Sequence, residues 1–216
     1  MARQARAEIT RATIIKAAAD LFDRYGYGST SLADIIAHAG VTKGSLYFHF
    51  ASKEDLAHAV IQEQHKAWTE FAASFSKETP ALEVLVSMSF MLVEQLIEHS
   101  LIRGGIRLTL EYGTFERPLP DPYLDWIKIV ADLLTRARDE RDIRTKMELD
   151  RVAKFIVSSF TGLQLVSQVL NERRALPDRM VDLWHILLPS LVVPKRLHHY
   201  LHFVACRRQD LLEGAG

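Results

Sequence analysis

Ser29–Leu56, STSLADIIAHAGVTKGSLYFHFASKEDL, decides the fold. It holds two short helical patterns separated by Ala39, Gly40 and Val41, with a hydroxyl residue at the start of each and aromatic residues closing the second. Ser31 and Asp34 have the spacing of a capping box, and Leu32, Ile35, Ile36 and Ala39 then recur at the spacing of one buried helix face. Two helices joined by a turn containing glycine can present one helix to a DNA groove while the other holds it in place.

The side chains of the second pattern carry the chemistry. With Thr42 as N-cap, Lys43, Gly44 and Ser45 form the first turn of a recognition helix, where amide hydrogens and the helix dipole favour phosphate and side chains meet base edges. Gly44 costs about 1 kcal/mol of helix propensity, and close approach to a duplex is a reason to keep it. Tyr47 lies one turn beyond Lys43 and Gly44 on the same face, and His49 sits at the end. Leu46 and Phe50, four apart, take the opposite face and anchor the helix. Ser29, Thr30 and Ser31 before the first of these helices, and Lys53 after the second, are suited to phosphate bonds. Each hydroxyl reads equally as a helix cap, and for Thr42 and Ser52 both roles are expected. Tyr47 and His49 alone would read as half-buried aromatics; what favours contact is that they flank a lysine and a bare glycine.

Outward from this segment, the chain has 216 residues, 48% of them hydrophobic, and a formal net charge of zero. That balance excludes a polybasic protein that coats nucleic acid indiscriminately. Charge is uneven, however: residues 1–16 carry Arg3, Arg6, Arg11 and Lys16 against Glu8 alone. Phosphate contact needs only such a local patch, because charges act within about 8–10 Å at physiological salt; Arg3 and Arg6 are candidate contacts. The single cysteine, Cys206, excludes an internal disulfide. No signal peptide is visible, and the apolar stretches 82–96 and 186–193 are too short or interrupted to span a bilayer, so a cytoplasmic protein without a membrane partner is expected.

The pattern predicts about ten helices and no strand. The first covers 7–25 and stops at Gly26; the fourth opens on Ser52, with Asp55 completing a second capping-box spacing, and runs to about Ser74. Further helices start at Thr79-Pro80, near Leu101, at Asp121-Pro122, at Asp150, at Pro177 and at Pro194, with residues 111–122 as the one clear loop. The expected fold is all-α: a three-helix helix-turn-helix domain over residues 1–55 and a helical bundle for ligand binding and dimerisation over 56–216.

In the second half, most apolar positions must be core. Leu85, Met88, Val130, Val157 and Phe160 are candidate pocket lining among them. Gln64, Thr161 and Gln164 place uncharged hydrogen-bonding groups among apolar neighbours, where they can orient a ligand or equally sit on a polar face or a dimer seam. Trp126, one turn into its helix and next to a proline-rich loop placed to act as a lid, reads either as a plate over an apolar ligand or as packing. His198, His202 and Cys206 form a ladder four residues apart, but a closed metal site needs about four ligands. A solvated or dimer-lining face is the better reading, and neither metal nor cofactor is expected. Signatures of an enzyme are absent: no phosphate loop, no nucleophile elbow, no paired histidine–carboxylate motif.

GVTKGSLYFHFASKEDL, together with ATIIKAAADLFDRYGY before it, resembles the DNA-binding domain of the TetR family of repressors. The resemblance implies DNA contacts from Thr42, Lys43, Gly44, Tyr47, His49 and Lys53, and a homodimer on a palindromic operator. Dimerisation is also expected physically, since one two-turn helix buries too little to be specific. IRGGIRLTLE, RPLPDPYLDW, FTGLQLVSQ and HILLPSLVVPKRL are similar to the gamma-butyrolactone receptor branch of that family. This second resemblance implies that Trp126 lines a pocket for a small neutral lactone, butenolide or furan. The expected function is therefore a ligand-released, homodimeric repressor of operator DNA, in which the Ser52–Ser74 helix joins reader to pocket. A hundredfold loss of operator affinity on ligand binding requires about 2.7 kcal/mol of coupling. The dimer face is expected on the helices 150–171 and 177–193, whose surfaces are too apolar to leave in water. The alternatives are a TetR-type regulator of efflux or metabolism with an unrelated ligand, and a constitutive dimeric DNA binder.

Overall fold

The computed structural model describes residues 2–111 and 122–214, with side chains from residue 4 onward in the first stretch. The side chain of Arg3 and most of the proline-rich loop, Asp121 included, are not described. Within them the chain forms ten helices: α1 (Ala2–Ser29), α2 (Leu32–Ala39), α3 (Lys43–His49), α4 (Lys53–Ser74), α5 (Ala81–Glu98), α6 (Ser100–Leu110), α7 (Pro122–Asp139), α8 (Leu149–Asn171), α9 (Leu176–Leu191) and α10 (Pro194–Gly214). The fold is all-α; the only β-type pairing among the described residues is an isolated antiparallel bridge between Ile143 and Val192. By compactness the chain divides into one unit of Met1–Glu70 with Glu98–Pro120 and another of Phe71–Ile97 with Asp121–Gly216.

The first unit is built on α1. This helix begins at Ala2 rather than near residue 7, and it breaks at Gly26, where φ 78 and ψ 173 are non-helical. The break itself follows the sequence reading; one further turn then carries the chain to Ser29. Gly26 is required twice over. Its φ lies in the region that favours glycine, and a Cβ there would fall 2.7 Å from Glu111 Oε1 and 2.8 Å from Arg107 Nη2. The apolar face of α1 (Ile14, Ile15, Ala18, Phe22) packs with Ile35 of α2, Leu46 of α3, Leu56, Val60 and Ile61 of α4 and Leu108 of α6 in one buried cluster. Each of the Ile, Leu, Val and Phe side chains in it contributes roughly 1.5–3 kcal/mol by leaving water.

Helix α6 lies against α1 at unusually short range. A Cβ on Gly104 would stand 2.5 Å from the Ala19 carbonyl oxygen, and one on Gly105 would stand 2.7 Å from Gln64 Cβ of α4. The Gly104–Gly105 pair is what lets α6 seat on two helices at once. Polar bonds along its edge complete the attachment. Arg103 Nε donates to Asp23 Oδ2 at 2.6 Å, Arg107 Nη1 to the Asp23 carbonyl at 2.7 Å, and Ser100 to the Asp20 carboxylate.

In the second unit, Glu140, the residue after α7, accepts from the Ala81 N–H at the start of α5 (2.8 Å), and Trp184 of α9 donates from Nε1 to Ser89 Oγ of α5 (2.9 Å). The α7–α8 connection is strapped to the α9–α10 corner by backbone bonds from Arg144 to Leu191 and from Val193 to Asp142. There the buried Tyr200 hydroxyl donates to Asp142, which also pairs with Arg196 Nε at 3.1 Å. Burial first, and then the bond to Asp142, raise the Tyr200 phenol well above its ordinary pKa. Helices α7 and α8, α8 and α9, and α9 and α10 pack pairwise.

One face of this unit is left apolar and uncovered. Phe155, Val166, Val169 and Leu170 of α8 and Ile186 of α9 are exposed, Val169 at 83%. By length and composition α8 meets the requirements of a bilayer span, unlike the stretches 82–96 and 186–193 weighed from sequence, though only 28% of its apolar window is buried.

The α6–α1 approach makes a signed prediction. Alanine ordinarily stabilises a helix interior by about 1 kcal/mol relative to glycine. Gly104→Ala is instead expected to lower stability by about 1–3 kcal/mol, because the new methyl meets backbone rather than a flexible side chain. Equilibrium urea unfolding measures this, and an unchanged or raised midpoint contradicts the close packing.

Candidate functional site

Each boundary of the helix-turn-helix is fixed by a local bond. Ser31 caps α2 reciprocally: its Oγ accepts from the Asp34 N–H at 3.2 Å and its own N–H donates to Asp34 Oδ2 at 3.0 Å. Bonds from the Ser31 hydroxyl and then from its backbone hold the Asp34 carboxyl below its ordinary pKa. Gly40 ends the helix in the left-handed region (φ 64, ψ 31), with its N–H turned back to α2 and Val41 N–H donating to the Ile36 carbonyl at 3.2 Å. Thr42 then opens α3, its Oγ1 accepting from the Ser45 N–H at 3.1 Å, and Phe50 closes it in extended conformation. Ser52 Oγ accepts from the Asp55 N–H at 3.0 Å to open α4.

These caps set which face of α3 is presented. Leu46 and Phe50 are buried, as the four-residue spacing requires, and Thr42, Lys43, Gly44 and Tyr47 are exposed together. Lys43 Nζ stands 5.9 Å from the centroid of the Tyr47 ring, placing charge and aromatic surface side by side. Ser45 and His49 are half-buried, and the His49 ring stands edge-on to Phe48 at 5.0 Å. A Cβ on Gly44 would meet nothing within 4 Å. No packing within the described residues accounts for a glycine there.

The flanking candidates divide. Ser29, Ser31 and Arg6 are exposed; the Ser31 hydroxyl is also bonded to Asp34 at 2.6 Å. Thr30, expected from sequence beside Ser29 and Ser31 as a phosphate contact, does not present its hydroxyl as they do. Its side chain is buried, and its hydroxyl donates inward to the Gly26 carbonyl at 2.8 Å, stabilising the break in α1. Lys53 has a structural duty. Its ammonium donates to the carbonyls of Tyr27 (2.7 Å) and Thr30 (2.9 Å) and lies 4.1 Å from the centroid of the Tyr27 ring. Burial lowers its pKa, and Glu111 acts in the opposite direction. Glu111 itself accepts from the Tyr27 N–H at 2.7 Å. The broken end of α1 is thus held by α4 on one side and α6 on the other. Arg11, part of the basic N-terminal stretch, pairs with Glu63 at 3.3 Å and lies over the Phe50 ring.

Two residues passed over in the sequence stand out. Phe48 is 77% exposed on α3. Its position, four after Gly44 and two from each of the anchors Leu46 and Phe50, was the available signal. Trp68 follows Gln64 by one turn of α4. Trp68 Nε1 and Gln64 Oε1 are both buried without a hydrogen-bond partner among the described residues.

In the second unit Trp126 is half-buried, packs edge-to-face on Tyr123 at 4.8 Å, and likewise has a buried Nε1 without a partner among the described residues. Leu85, Met88 and Val130 are buried, and Val157 and Phe160 are half-buried. The Thr161 hydroxyl donates to the Val157 carbonyl at 2.9 Å, leaving its lone pairs to accept. Gln164 is buried, with Oε1 3.4 Å from Arg173 Nη2. Among the described residues no group of three or more His, Cys, Asp or Glu side chains is placed to hold a metal ion. His199 pairs instead with Glu83 at 2.8 Å, and Cys206 Sγ lies 3.5 Å from His202 Nδ1.

A capped recognition helix on a three-helix head, joined to an all-α second unit, defines a helix-turn-helix DNA-binding regulator. The family model for bacterial regulatory proteins of the tetR family matches residues 14–60, and that for the tetracyclin repressor-like C-terminal domain matches residues 79–194. The A-factor receptor protein of Streptomyces griseus is 38% identical over 199 residues, spanning 92% of this chain and 70% of that protein. The crystal structure of a gamma-butyrolactone receptor (ArpA-like protein) is similar over 95% of this chain and 99% of its own, with 40% identity and a TM-score of 0.84. CprB from Streptomyces coelicolor, solved in complex with its biological operator sequence, shares 39% identity over 94% of this chain and 98% of its own, with a TM-score of 0.84. The chain belongs to the TetR family of bacterial transcription regulators.

Gly44 gives the site its sharpest prediction. Gly44→Ala is expected to leave thermal stability unchanged or raise it by up to about 1 kcal/mol, since the methyl enters open space in a helix. It should nevertheless weaken operator binding by tenfold or more (about 1.4 kcal/mol) in a gel-shift titration. Wild-type DNA affinity in the alanine variant contradicts the role given to this position.

Proposed function

We propose that the protein is a homodimeric repressor that occupies a palindromic operator and leaves it when a small, neutral, lactone-like signal molecule binds. The observation that carries the ligand reading is the Trp126 Nε1, buried without a hydrogen-bond partner among the described residues. A buried donor left without a partner costs about 1–3 kcal/mol, which a ligand carbonyl or ring oxygen recovers. Trp126, Val130, Val157, Phe160, Thr161, Gln164, Leu85 and Met88 are the proposed ligand-facing positions of the second unit. In the first unit, Gln64 is a separate candidate, and Trp68 joins it. Neutrality follows from the buried polar set. Among the described residues the one buried carboxylate, Asp142, is already satisfied by Tyr200 and Arg196, so no buried charge awaits a cation. The names of the similar proteins, an A-factor receptor and gamma-butyrolactone receptors, support the same chemical class.

The uncovered face of α8 and α9 supports the dimer. A second copy related by a twofold axis covers Phe155, Val166, Val169, Leu170 and Ile186 with the same surface. The α6 contacts support the transmission step. Because α6 is seated on the Ala19 backbone and bonded to Asp20, Asp23 and Tyr27, any displacement of α6 that ligand favours carries α1, and with it α3. Ligand must bind the displaced form more tightly than the DNA-bound form for this to release operator. Transcription regulation, and not catalysis, is the work assigned to the helical interior, and the cytoplasm is its place.

An operator selected from random duplexes, followed by gel shift with synthetic gamma-butyrolactones of graded chain length, tests the reading. Release at a defined lactone concentration is expected, with Trp126→Ala requiring at least tenfold more; an intact complex at saturating concentrations of every lactone overturns it. Val169→Glu with Leu170→Glu should yield a monomer by sedimentation and abolish operator binding. A double variant that stays dimeric would place the dimer face elsewhere.

A further inference from the structure

Helix α2 sets the position of the recognition helix, yet apolar packing holds it lightly. Ile35 is its one fully buried side chain, with Leu32 and Ile36 partly buried. An open cleft of about 510 Å³ separates Leu21 and Tyr25 of α1 from Asp34, Ala37 and His38 of α2. A helix packed in this way depends on its polar ties. In its last turn, His38 Nε2 stands 3.3 Å from Asp20 Oδ2 of α1. A carboxylate only accepts, so the ring nitrogen is the donor. The other oxygen of Asp20 serves a different helix: Ser100 Oγ of α6 donates to Oδ1. One carboxylate therefore holds α2 by one oxygen and α6 by the other.

Both ties fall at helix ends that favour them. Helix α6 starts at Ser100 after His99, whose side chain makes no capping bond. Asp20 brings an acceptor and a negative charge to that positive end from another helix. His38 brings a donor to the negative end of α2. With the side chains of His38 and Asp20 38% and 23% exposed, such a tie shifts an equilibrium by up to about fivefold. We propose that Asp20 is a positioning residue for operator binding: by bridging Ser100 and His38 it ties the setting of α2, and through the Gly40 turn that of α3, to α6. This rests on the DNA-binding function of α3, and it adds a side-chain path from α6 to α2 that the backbone contact at Gly104 does not supply.

Variants at the two ends of the bridge test it. Ser100→Ala, His38→Ala and their double variant are compared with His38→Gln, whose amide N–H replaces the ring Nε2–H. Operator affinity is read on a duplex selected by the wild type from a random pool, and amide hydrogen exchange is followed across α2 in the free protein. Each alanine variant is expected to weaken operator binding two- to about fivefold, and the double variant no further than the weaker single one, because either change opens the same chain. His38→Gln should bind close to the wild type. Ser100→Ala should at least double the exchange rate of α2 amides, although Ser100 belongs to α6, with an unchanged circular dichroism spectrum. Losses that multiply in the double variant, wild-type affinity in either alanine variant, a His38→Gln no better than alanine, or wild-type exchange across α2 in Ser100→Ala overturns the proposal. Failure of the wild type to select any duplex overturns the DNA-binding reading and the proposal with it, and is distinguished by occurring before any variant is measured.

Discussion

The approach of α6 to α1 at Gly104 is the constraint on which the rest of the first unit depends. Where a helix carries no side chain against another helix's carbonyl, the two backbones touch, and neither can slide without the other. Asp20, Asp23 and Glu111 turn that contact into a bonded joint, and Gly105 extends it to Gln64 of α4. The break in α1 at Gly26 belongs to the same joint, because Glu111 and Arg107 occupy the space a side chain would need. Lys53 closes it from α4 through the carbonyls of Tyr27 and Thr30. The reading helix is small, seven residues, and its orientation is inherited from these larger helices.

A short recognition helix and a neutral chain make the same demand from two directions. Seven residues bury too little surface for specificity alone, and zero net charge gives little indiscriminate attraction to phosphate. Specificity then depends on two copies held at a fixed spacing, and the exposed apolar face of α8 and α9 is the surface suited to pairing them. α8, which has the composition of a bilayer span with most of its apolar window unburied, supplies most of that face.

Much of this was legible in the sequence because local rules govern it. Ser31, Thr42 and Ser52 cap their helices as their spacing to Asp34, Ser45 and Asp55 required, Gly40 adopts the left-handed turn, and Leu46 and Phe50 anchor α3. What was illegible is tertiary. Nothing in the neighbourhood of Thr30 announces that its hydroxyl turns inward to Gly26, and nothing near Lys53 announces that its ammonium faces two carbonyls. Gly104 and Gly105 were visible as a pair, but their reason is the backbone of Ala19 and the stem of Gln64, far away in the chain. Phe48 was legible and overlooked: an aromatic residue beside three others reads as core until helical periodicity is applied to each one separately.

The proposed coupling runs from ligand occupancy through α6, bonded to α1, to the reading helix. Its most direct test is the thermodynamic linkage between the two ligands, measured as the lactone dissociation constant with and without saturating operator, in the wild type and in Glu111→Gln. The account predicts that operator weakens lactone binding in the wild type by a large factor, and that Glu111→Gln lowers this factor while lactone affinity in the absence of DNA is retained. An unchanged factor in the variant would show that coupling bypasses the α6–α1 joint and would contradict the account.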